Sequence, residues 1–393
     1  MLGPDRTEVS KNISLDTKLV HVGSRPAEQQ GFVNPPLYRG STALYTTVAE
    51  MKESTSNSLR KKIPAYGRFG TPTSRAFEEA MTELEGGFDA ISTGSGLAAI
   101  TTAILAFVES GDHILVTDSV YQPTRNFCES LGRMGIETEY YDPGIGAAIV
   151  AKFRPNTRFV FLESPGSNTF EVQDVPAIAR ACQTAGILTL IDNTWATPLF
   201  FRPLLYGVDV VVHSATKYIT GHSDSFLGVI VANEKTFGPL RSSAIRMGQS
   251  AGADDTYFGL RGLRTLATRL HQHERQALSL AEWLGDRPEV GSVLHPALPE
   301  HPGHALWKRD FTGSTGLFGV SLKPKYEMSN VHSMVEGLNL FGLGHGWGGF
   351  ESLIVPVESH RFLREGPLLR IHVGLENIDD LKADLLQGLN SLS

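Results

Sequence analysis

The chain has little cysteine and no long hydrophobic run. Its 393 residues include 2 cysteines, Cys128 and Cys182, and neither belongs to a C-x-x-C motif. Isolated thiols inside helix-like patterns are typical of small buried hydrophobic residues rather than of disulfides or metal ligands. No apolar stretch approaches the roughly 18 residues of a membrane span, and the first residues lack the apolar segment of a secretory leader. We therefore expect a cytoplasmic protein without membrane contacts.

Positive charge is scarce as well. The chain has 35 lysines and arginines against 42 aspartates and glutamates, which gives a formal net charge of −7, and its basic residues are scattered. This balance gives no reason to expect a nucleic-acid partner. His213 and His222 lie close to Lys217, but no H-x-x-x-H pair or Cys/His cluster has metal spacing, so we expect no metal site.

Short apolar segments that alternate with helical patterns are abundant. A helix is predicted over 74–85, where Gly86 and Gly87 end it. The apolar segments are near-continuous rather than alternating, as in strands that helices cover on both faces. The sequence therefore predicts an α/β fold with a mostly parallel central sheet. Its predicted strands are 90–93, 113–117, 137–141, 158–162, 188–191, 208–214 and 227–232.

The regions on either side of this sheet have different patterns. Residues 1–65 have little periodic apolar pattern, which predicts an arm that needs something to pack against. A long connecting helix is predicted over 259–284, followed by a smaller C-terminal α+β unit. The predicted elements of that unit are strands 315–322 and 368–373 and a helix over 379–389. The predicted division is an N-terminal arm 1–65, a large domain 66–257 and a C-terminal domain 258–393.

Lys217 ends the segment Asp209-Val-Val-Val-His-Ser-Ala-Thr-Lys217, where a predicted strand leads towards a glycine turn. A lysine at the carboxyl end of an internal strand lies partly out of water, which lowers its pKa and leaves a neutral amine for Schiff-base formation. For an arbitrary lysine, a surface position at a strand end is the simpler interpretation. Here Asp192 ends another apolar strand about one βαβ unit earlier, and the pair favours a catalytic site.

A glycine-rich turn lies earlier in the chain. Gly94-Ser-Gly96-Leu97-Ala-Ala99 follows a predicted strand and opens a helix over 97–109. The N–H groups and dipole of such a helix start can hold a phosphate. The turn also fits G-x-G-x-x-A, with Asp118 ending the next strand about 20 residues later, which is the dinucleotide fingerprint. A nicotinamide-dependent dehydrogenase is therefore an alternative, although it gives Asp192 and Lys217 no role.

A pyridoxal 5′-phosphate cofactor uses all three features. It presents an aldehyde to a lysine, a pyridine nitrogen to an acid and a phosphate to a helix start. Lys217, Asp192 and the turn at Gly96 and Leu97 supply one partner each. The sequence therefore favours this cofactor over a dinucleotide.

Three further residues are candidates for cofactor contacts. Ser214 and Thr216 are short donors beside the lysine that suit the phosphate, and strand-end capping is the alternative for either one alone. Tyr121, just beyond a strand end, is placed to stack on the ring and to offer a phenol near the reacting atoms. Ordinary aromatic packing is the alternative for Tyr121.

Two motifs resemble the Cys/Met-metabolism family of pyridoxal-phosphate enzymes. Ser214-Ala-Thr-Lys217-Tyr218, followed by Gly221-His-Ser-Asp224, is similar to the family signature around its Schiff-base lysine, and Tyr66-Gly-Arg68 is similar to the family's Y-x-R element. The resemblance covers nearly the whole chain and implies a fold-type I aminotransferase-like architecture. It also implies that Tyr66 and Arg68 bind the cofactor phosphate of a neighbouring subunit. Residues 1–65 would then complete the partner's site in a homodimer, and two such dimers would form a tetramer.

Within this family the chain is most similar to the bacterial cystathionine β-lyases. One similar segment is Trp347-Gly-Gly-Phe-Glu-Ser-Leu353, where γ-lyases and γ-synthases usually have S-L-G. The resemblance implies β-elimination of L-cystathionine or a related β-thio amino acid to a thiol, pyruvate and ammonia. A γ-cleaving enzyme or a cysteine desulfhydrase of the same family is the alternative. The implied catalytic residues are Lys217, Tyr121 and Asp192, and the implied substrate contacts are Arg370, which grips the α-carboxylate, Trp347, Tyr121 and Asn168.

Two positions depart from the family pattern. Gly346 stands where these lyases usually carry a serine that helps to position the lysine, and Phe69 replaces the second arginine of the Y-G-R-R-G form. Both lie near the expected pocket. We therefore expect the site for the substrate side chain to differ from the usual one.

Overall fold

A computed structural model of the chain describes residues 13–57, 65–359 and 366–392. Its larger sheet has seven strands in the order β1-β7-β6-β5-β4-β2-β3. The strands are β1 (Asp89–Thr93), β2 (His113–Thr117), β3 (Glu137–Tyr141), β4 (Thr157–Glu163), β5 (Leu188–Asp192), β6 (Val210–Ser214) and β7 (Gly228–Ala232). Strand β7 runs antiparallel to both of its neighbours, and the other pairs are parallel. The predicted mostly parallel sheet is confirmed.

Helices cover both faces of this sheet. The α-helices of the described chain are α1 (Leu15–His21), α2 (Val48–Asn57), α3 (Pro72–Glu85), α4 (Gly96–Leu105), α5 (Gln122–Ser130), α6 (Val175–Ala185), α7 (Thr197–Phe200), α8 (Glu234–Arg246), α9 (Ala253–Leu263), α10 (Leu266–Gly285), α11 (His304–Asp310), α12 (Met328–Glu336) and α13 (Ile378–Asn390). Successive strand residues point to opposite faces. Val211 therefore packs in the core that contains Phe77 of α3, whereas Val210 and Val212 pack in the core that contains Ile100 of α4.

Helix α3 shows why the predicted boundaries at 74–85 nearly match. Thr71 and Ser74 form a capping box at its start, and Pro72 occupies its first turn, where no N–H is needed. Gly86 ends it with φ of 75°, a left-handed conformation that glycine adopts without strain. The side chains of Phe77 and Leu84 lie in the core on one face of the sheet.

The C-terminal part contains a second sheet of five strands in the order β10-β11-β12-β9-β8. Its strands are β8 (Val290–Leu294), β9 (Leu317–Leu322), β10 (Gly342–Leu343), β11 (Leu353–Val357) and β12 (Leu368–His372). Apolar residues of α10, α12 and α13 form a third core with this sheet. The predicted strands 315–322 and 368–373 and the predicted last helix are present within one to two residues, while β8, β10 and β11 were missed.

The predicted helix over 259–284 is wrong as a single element. The chain forms α9 and α10 instead, because Thr265 between them is not helical, with φ of −114° and ψ of 7°. The Gly262 carbonyl accepts from the Arg269 guanidinium at 2.9 Å and from the Thr265 N–H at 3.2 Å. These bonds replace the regular helical bonding at this point, so the chain turns where it packs against the segment after Lys217.

The first 65 residues contain more structure than predicted. Helices α1 and α2 lie on either side of an irregular stretch, while residues 1–12 and 58–64 of the predicted arm lie outside the described part. Large apolar side chains of the arm are exposed, Leu44 at 92% and Val33 at 74%. The predicted domain boundaries at 65 and 257 remain predictions.

Both cysteines, Cys128 and Cys182, are free and buried, as predicted. Within the described ranges, no helix is long and apolar enough to cross a membrane. The same residues contain no group of three or more His, Cys, Asp or Glu side chains arranged to hold a metal ion.

Candidate active site

The predicted site residues of the large sheet lie at the carboxyl ends of its parallel strands. Strands β1, β6, β5, β4 and β2 point in the same direction, so the turns after them lie along a common border. Clefts beyond the carboxyl ends of such strands are the usual ligand sites of open α/β sheets. Asp192 is the last residue of β5 and Lys217 lies three residues after β6, its parallel neighbour.

Lys217 lies in a tight turn after β6, and its neighbours Ala215 and Tyr218 belong to the core that contains Phe77. Its N–H donates to the Ser214 carbonyl at 3.1 Å, and its carbonyl accepts from the Gly221 N–H at 2.8 Å. Burial lowers the pKa of the Lys217 amine to about 8; the positive charge of Arg370 adds to this effect, and the negative charge of Asp192 opposes it. The amine is therefore much easier to deprotonate than that of an exposed lysine, as the sequence predicts.

Asp192 is buried, and one of its two carboxylate oxygens is already bonded. Oδ1 accepts from the Thr194 N–H at 2.9 Å and from the Thr194 hydroxyl at 2.5 Å. Burial raises the pKa of the Asp192 carboxyl, and the bonds from Thr194 and the charges of His213 and Lys217 counteract this rise. Within the described part of the chain Oδ2 has no hydrogen bond, so it is available to a donor such as a ring N–H.

The start of α4 has the features of a phosphate site. The Ser95 hydroxyl accepts from the Ala98 N–H at 3.1 Å, whereas the described residues provide no acceptor for the N–H groups of Gly96 and Leu97. A Cβ atom on Gly96 would collide with the Ser214 side chain, so only glycine allows this close approach. The Ser214 hydroxyl therefore lies beside two N–H groups at a helix start, and this arrangement fits a phosphate group.

Thr216 is placed differently from Ser214. Its hydroxyl donates to the Leu227 carbonyl at 3.2 Å and accepts from the Leu227 N–H at 2.9 Å. These bonds join the lysine turn to the start of β7. A phosphate contact from Thr216 remains a prediction, and it would require the hydroxyl proton to leave the Leu227 carbonyl.

Tyr121 lies at the start of α5 and is held by Glu163. The Tyr121 N–H donates to Glu163 Oε2 at 2.8 Å. Burial raises the pKa of the Tyr121 phenol, as do the charges of Asp192 and Glu163, while Arg370 lowers it. The residue is still 43% exposed, so it is accessible from outside the chain. Glu163 was missed by sequence reasoning, although its position directly after the apolar segment 158–162 is a signal that could have found it.

Arg370 belongs to the second sheet and faces this cleft. Its guanidinium donates to the His345 carbonyl at 2.8 Å, and burial lowers its pKa. Its charge affects both Lys217 and Tyr121, so β12 brings it to the border of the large sheet. Asn168 lies nearby: its carbonyl is 3.1 Å from the position of a Cβ on Gly319, the β9 residue paired with Arg370. In the described residues, the Asn168 side chain has no hydrogen bond.

The Trp347 loop, residues 344–350, lies directly on the lysine turn. Lys217 Nζ is 5.5 Å from the centroid of the Trp347 ring. Gly348 has φ of 87°, and a Cβ there would lie 2.7 Å from the Tyr218 nitrogen and 2.8 Å from the Lys217 carbonyl carbon. His372 Nε2 lies 3.2 Å from the Gly348 N–H, which donates to it. The close approach of the Gly348 backbone to the backbone of Lys217 and Tyr218 was not predicted, because these segments are about 130 residues apart in the sequence.

The departure at Gly346 leaves open space. A Cβ built on this residue has no atom within 4 Å, and its φ lies outside the left-handed region. A serine side chain would therefore fit without strain. Tight packing therefore does not explain why residue 346 is glycine and not the serine usual in these lyases.

Tyr66 and Arg68 lie apart from these residues. The Arg68 guanidinium donates to the Ile245 carbonyl at 2.9 Å and lies 4.6 Å above the Phe69 ring. The described residues show no hydrogen bond, ion pair or ring contact from Tyr66 or Arg68 to Lys217 of the same chain. Tyr66 is 43% exposed.

The sheet order argues against the dinucleotide alternative. In a dinucleotide-binding βαβ unit, the strand before the glycine turn pairs with the strand that ends in the acid. Here β7, β6, β5 and β4 separate β1 from β2. At about 4.8 Å per strand, Asp118 lies roughly 24 Å from the Gly94–Gly96 turn. It cannot contact the ribose of a nucleotide whose phosphate is bound at that turn.

A mixed α/β sheet with a buried lysine, an aspartate on the neighbouring strand and N–H groups at a helix start fits the aldehyde, ring nitrogen and phosphate that a pyridoxal-phosphate-dependent enzyme must bind. A family model described as Cys/Met metabolism PLP-dependent enzyme matches residues 16–390, and the chain belongs to this family. The expected cofactor is thereby confirmed as that of the family.

Relatives and a solved structure are similar over almost the full length. The chain is 44% identical over 402 residues to a putative cystathionine beta-lyase of Rhizobium johnstonii, with 99% of each chain covered. It is 44% identical over 386 residues to cystathionine beta-lyase MetC of Escherichia coli, covering 95% of this chain and 98% of that protein. A crystal structure of cystathionine gamma synthase from Xanthomonas oryzae pv. oryzae, in complex with aminoacrylate and cysteine, has a TM-score of 0.87 at 29% identity. It covers 97% of this chain and 99% of that one.

Proposed function

We propose that the protein is a carbon–sulfur β-lyase that cleaves L-cystathionine, or a related β-thio amino acid, to a thiol, pyruvate and ammonia. The observation that carries this proposal is the Trp347 ring, 5.5 Å from Lys217 Nζ. A bulky aromatic side chain there restricts the space beside the amine. The similarity to cystathionine beta-lyases over nearly the full length supports the same activity.

The residues of the strand edge fit the cofactor. The N–H groups of Gly96 and Leu97, with the Ser214 hydroxyl, would hold its phosphate, and Asp192 Oδ2 would accept from its ring nitrogen. Tyr121 would stack on the ring with its exposed side. Bound in this way, pyridoxal phosphate supplies an electron sink for the bonds that break at the substrate Cα and Cβ.

Lys217 is proposed as the general base. With a pKa lowered to about 8, its amine holds a proton less tightly than an ordinary lysine and can accept one from the substrate Cα. Burial is the main cause of the lowered pKa; of the neighbouring charges, Arg370 disfavours the ammonium form and Asp192 favours it. The Trp347 ring face would stabilise the ammonium that forms after proton transfer.

Arg370 is proposed to orient the substrate. A guanidinium binds a carboxylate through two parallel hydrogen bonds, which fixes the direction of the Cα–H bond. Its place on β12 and its bond to the His345 carbonyl hold the guanidinium at the cleft. Asn168, beside Gly319 of the neighbouring strand β9, is proposed as a second substrate contact. The Tyr121 phenol is proposed to take a proton from the incoming amine.

A product assay tests the β-lyase proposal. Purified holoenzyme is incubated with L-cystathionine, L-cysteine and L-homocysteine, and pyruvate and 2-oxobutyrate are quantified separately. β-Cleavage predicts pyruvate and homocysteine from cystathionine, with little 2-oxobutyrate. Predominant 2-oxobutyrate from cystathionine would instead assign the protein to the γ-cleaving branch, and cleavage of cysteine alone would assign it to the desulfhydrases.

We further propose a homo-oligomer in which residues 1–65, with Tyr66 and Arg68, complete the partner's site. The exposed apolar side chains of the arm, such as Leu44 and Val33, support a packing partner. The free cysteines support a reducing, cytoplasmic location. Pairing of dimers into a tetramer and the division at residues 65 and 257 belong to the same proposal.

Co-expression of two inactive variants tests the shared site. Arg68→Ala and Lys217→Ala subunits are combined, and the hybrid oligomers are assayed. If Arg68 serves the partner, each hybrid dimer has one intact site, and random pairing restores about a quarter of the sites. If Arg68 serves its own subunit, mixing restores nothing. Chromatography with light scattering gives the number of subunits.

A further inference from the structure

Glu163 is a buried carboxyl beside Asp192 that has no assigned role. It is the last residue of β4 and is paired in register with Asp192, the last residue of β5. The two residues are only 8% and 9% exposed. Parallel neighbours in register place both carboxyl groups at the same border of the sheet, next to the cleft.

Both oxygens of Glu163 are hydrogen-bonded to the segments that follow strand ends. Oε2 accepts from the Tyr121 N–H at 2.8 Å, and Oε1 lies 2.6 Å from the Ser167 hydroxyl. The Tyr121 segment has a second anchor, because Arg125 donates to the carboxylate and the carbonyl of Asp118. Glu163 therefore anchors the turn that carries Tyr121 to the end of β4.

Two neighbouring buried carboxylates do not both ionise readily. Each carboxyl group accepts two hydrogen bonds, and the positive charges of His213 and Lys217 additionally favour the ionised form of Asp192. Burial, followed by the charge of Asp192, raises the pKa of the Glu163 carboxyl to about 8. The other titratable groups of this cluster include His213 and Lys217, whose charges act on Asp192. They also include Tyr121, whose pKa is raised by burial and by both carboxyls, and Arg370, which acts on Tyr121 and Lys217.

We propose that Glu163 is a positioning residue that carries a proton in the working enzyme: it fixes Tyr121 at the cleft and leaves Asp192 as the single negative charge of the pair. A protonated Glu163 donates from Oε1 to the Ser167 oxygen and still accepts the Tyr121 N–H at Oε2. Only Asp192 then attracts the positive end of the cofactor ring. This inference rests on the proposed function only where KM is measured, because that measurement needs the lyase activity.

Glu163→Gln is the decisive variant, because a carboxamide has the shape and charge of a protonated carboxyl group. Infrared difference spectra of the folded protein at pH 7, wild type minus Glu163→Gln, are expected to show the carbonyl band of a protonated carboxylic acid. That band is expected to disappear as the pH rises through about 8, because Glu163 then loses its proton. Absence of the band at pH 7 overturns the proposal.

The affinity for the cofactor and the steady-state kinetics give independent readouts. At pH 7, Glu163→Gln is expected to retain pyridoxal-phosphate affinity and KM within about twofold, whereas Glu163→Ala, which leaves the Tyr121 N–H without its acceptor, is expected to raise KM about tenfold. Equal losses in both variants overturn the proposal. Glu129→Gln, the same change at an exposed position of α5, is the matched control. If no substrate yields pyruvate, the proposed function fails, while the infrared band and cofactor affinity still decide the role of Glu163.

Discussion

The two halves of the site are built by different means. On the sheet side, Glu163 and Asp192 end neighbouring strands, and Lys217 follows the next strand by three residues. On the opposite side, the Trp347 loop is held by close contact of Gly348 with the lysine backbone and by the bond to His372. The first half depends on regular strand pairing, whereas the second depends on the absence of a side chain at one glycine. The two halves should therefore respond differently to small substitutions.

Removal of the lysine amine should give the largest effect. Lys217→Ala is expected to lower kcat by about 1,000-fold or more, because general-base catalysis alone contributes about 100- to 10,000-fold. The fold should survive, since the strand pairing does not depend on this side chain. Steady-state kinetics and circular dichroism measure the two outcomes, with Lys235→Ala on the exposed face of α8 as a control. Activity near the wild-type level would remove Lys217 from the mechanism.

Arg370→Lys addresses the link between the two sheets. Loss of a two-point carboxylate contact should raise KM about 10- to 100-fold, equivalent to about 1.5–3 kcal/mol for hydrogen bonds to a charged group. Thermal stability should change little, because within the described residues the guanidinium makes a single hydrogen bond, to the His345 carbonyl. A fall in kcat with KM unchanged would contradict a role in substrate binding.

Gly348→Ala should disrupt the Trp347 loop while leaving the strand-end residues Glu163, Asp192 and Lys217 in place. An alanine Cβ would meet the Lys217 and Tyr218 backbone at a residue with φ of 87°, and such strain costs about 1–3 kcal/mol. We expect a lower melting temperature and a loss of activity. Gly346→Ala, two residues away in open space, is the matched control. Equal effects of the two alanines would show that contact with the lysine backbone is not the cause.

The pH dependence of cofactor rebinding tests the lowered pKa of Lys217. The neutral amine is the reactive form, so its fraction rises about tenfold per pH unit below the pKa and levels off above about 8. The rate at which cofactor-free protein regains its visible absorption band should follow this curve. A rate that still rises tenfold per unit between pH 9 and 10 would indicate an ordinary lysine.

Gly346→Ser should have the smallest effect on the fold. The new side chain enters open space at a residue with ordinary φ, so stability should change by less than about 1 kcal/mol. Any change should instead appear as a shift in kcat/KM between cystathionine and cysteine, because the residue adjoins Trp347. Unfolding or aggregation of this variant would contradict the open space seen beside Gly346.

The sheet half could be predicted from the sequence to a large extent. Near-continuous apolar segments locate the strands, and Asp192 and Lys217 stand out because polar residues directly follow such segments. Glu163 was missed although it has the same position, because a single glutamate at a strand end is also an ordinary surface residue. Its burial depends on the pairing of β4 with β5, which is set by the fold as a whole.

For the Trp347 loop and Arg370, the sequence predicted which residues belong to the site but not how they are arranged. Trp347 and Arg370 were selected by resemblance, but their arrangement depends on contacts between distant segments. The approach of Gly348 to Lys217 and the bond from Gly348 to His372 leave no local pattern in the sequence. The break between α9 and α10 has the same kind of cause, since Arg269 bonds to backbone carbonyls of Tyr218 and Gly262. Helical periodicity continues through that break and predicted one helix.

The most direct test of the account is the site at which the cofactor is attached. Holoenzyme is reduced with borohydride and digested, and the peptides are analysed by mass spectrometry. We expect one phosphopyridoxyl group per subunit, on Lys217 in the Ser214–Tyr218 segment, and none in the Lys217→Ala variant. A label on another lysine of the wild-type protein, or the same label in that variant, would contradict it.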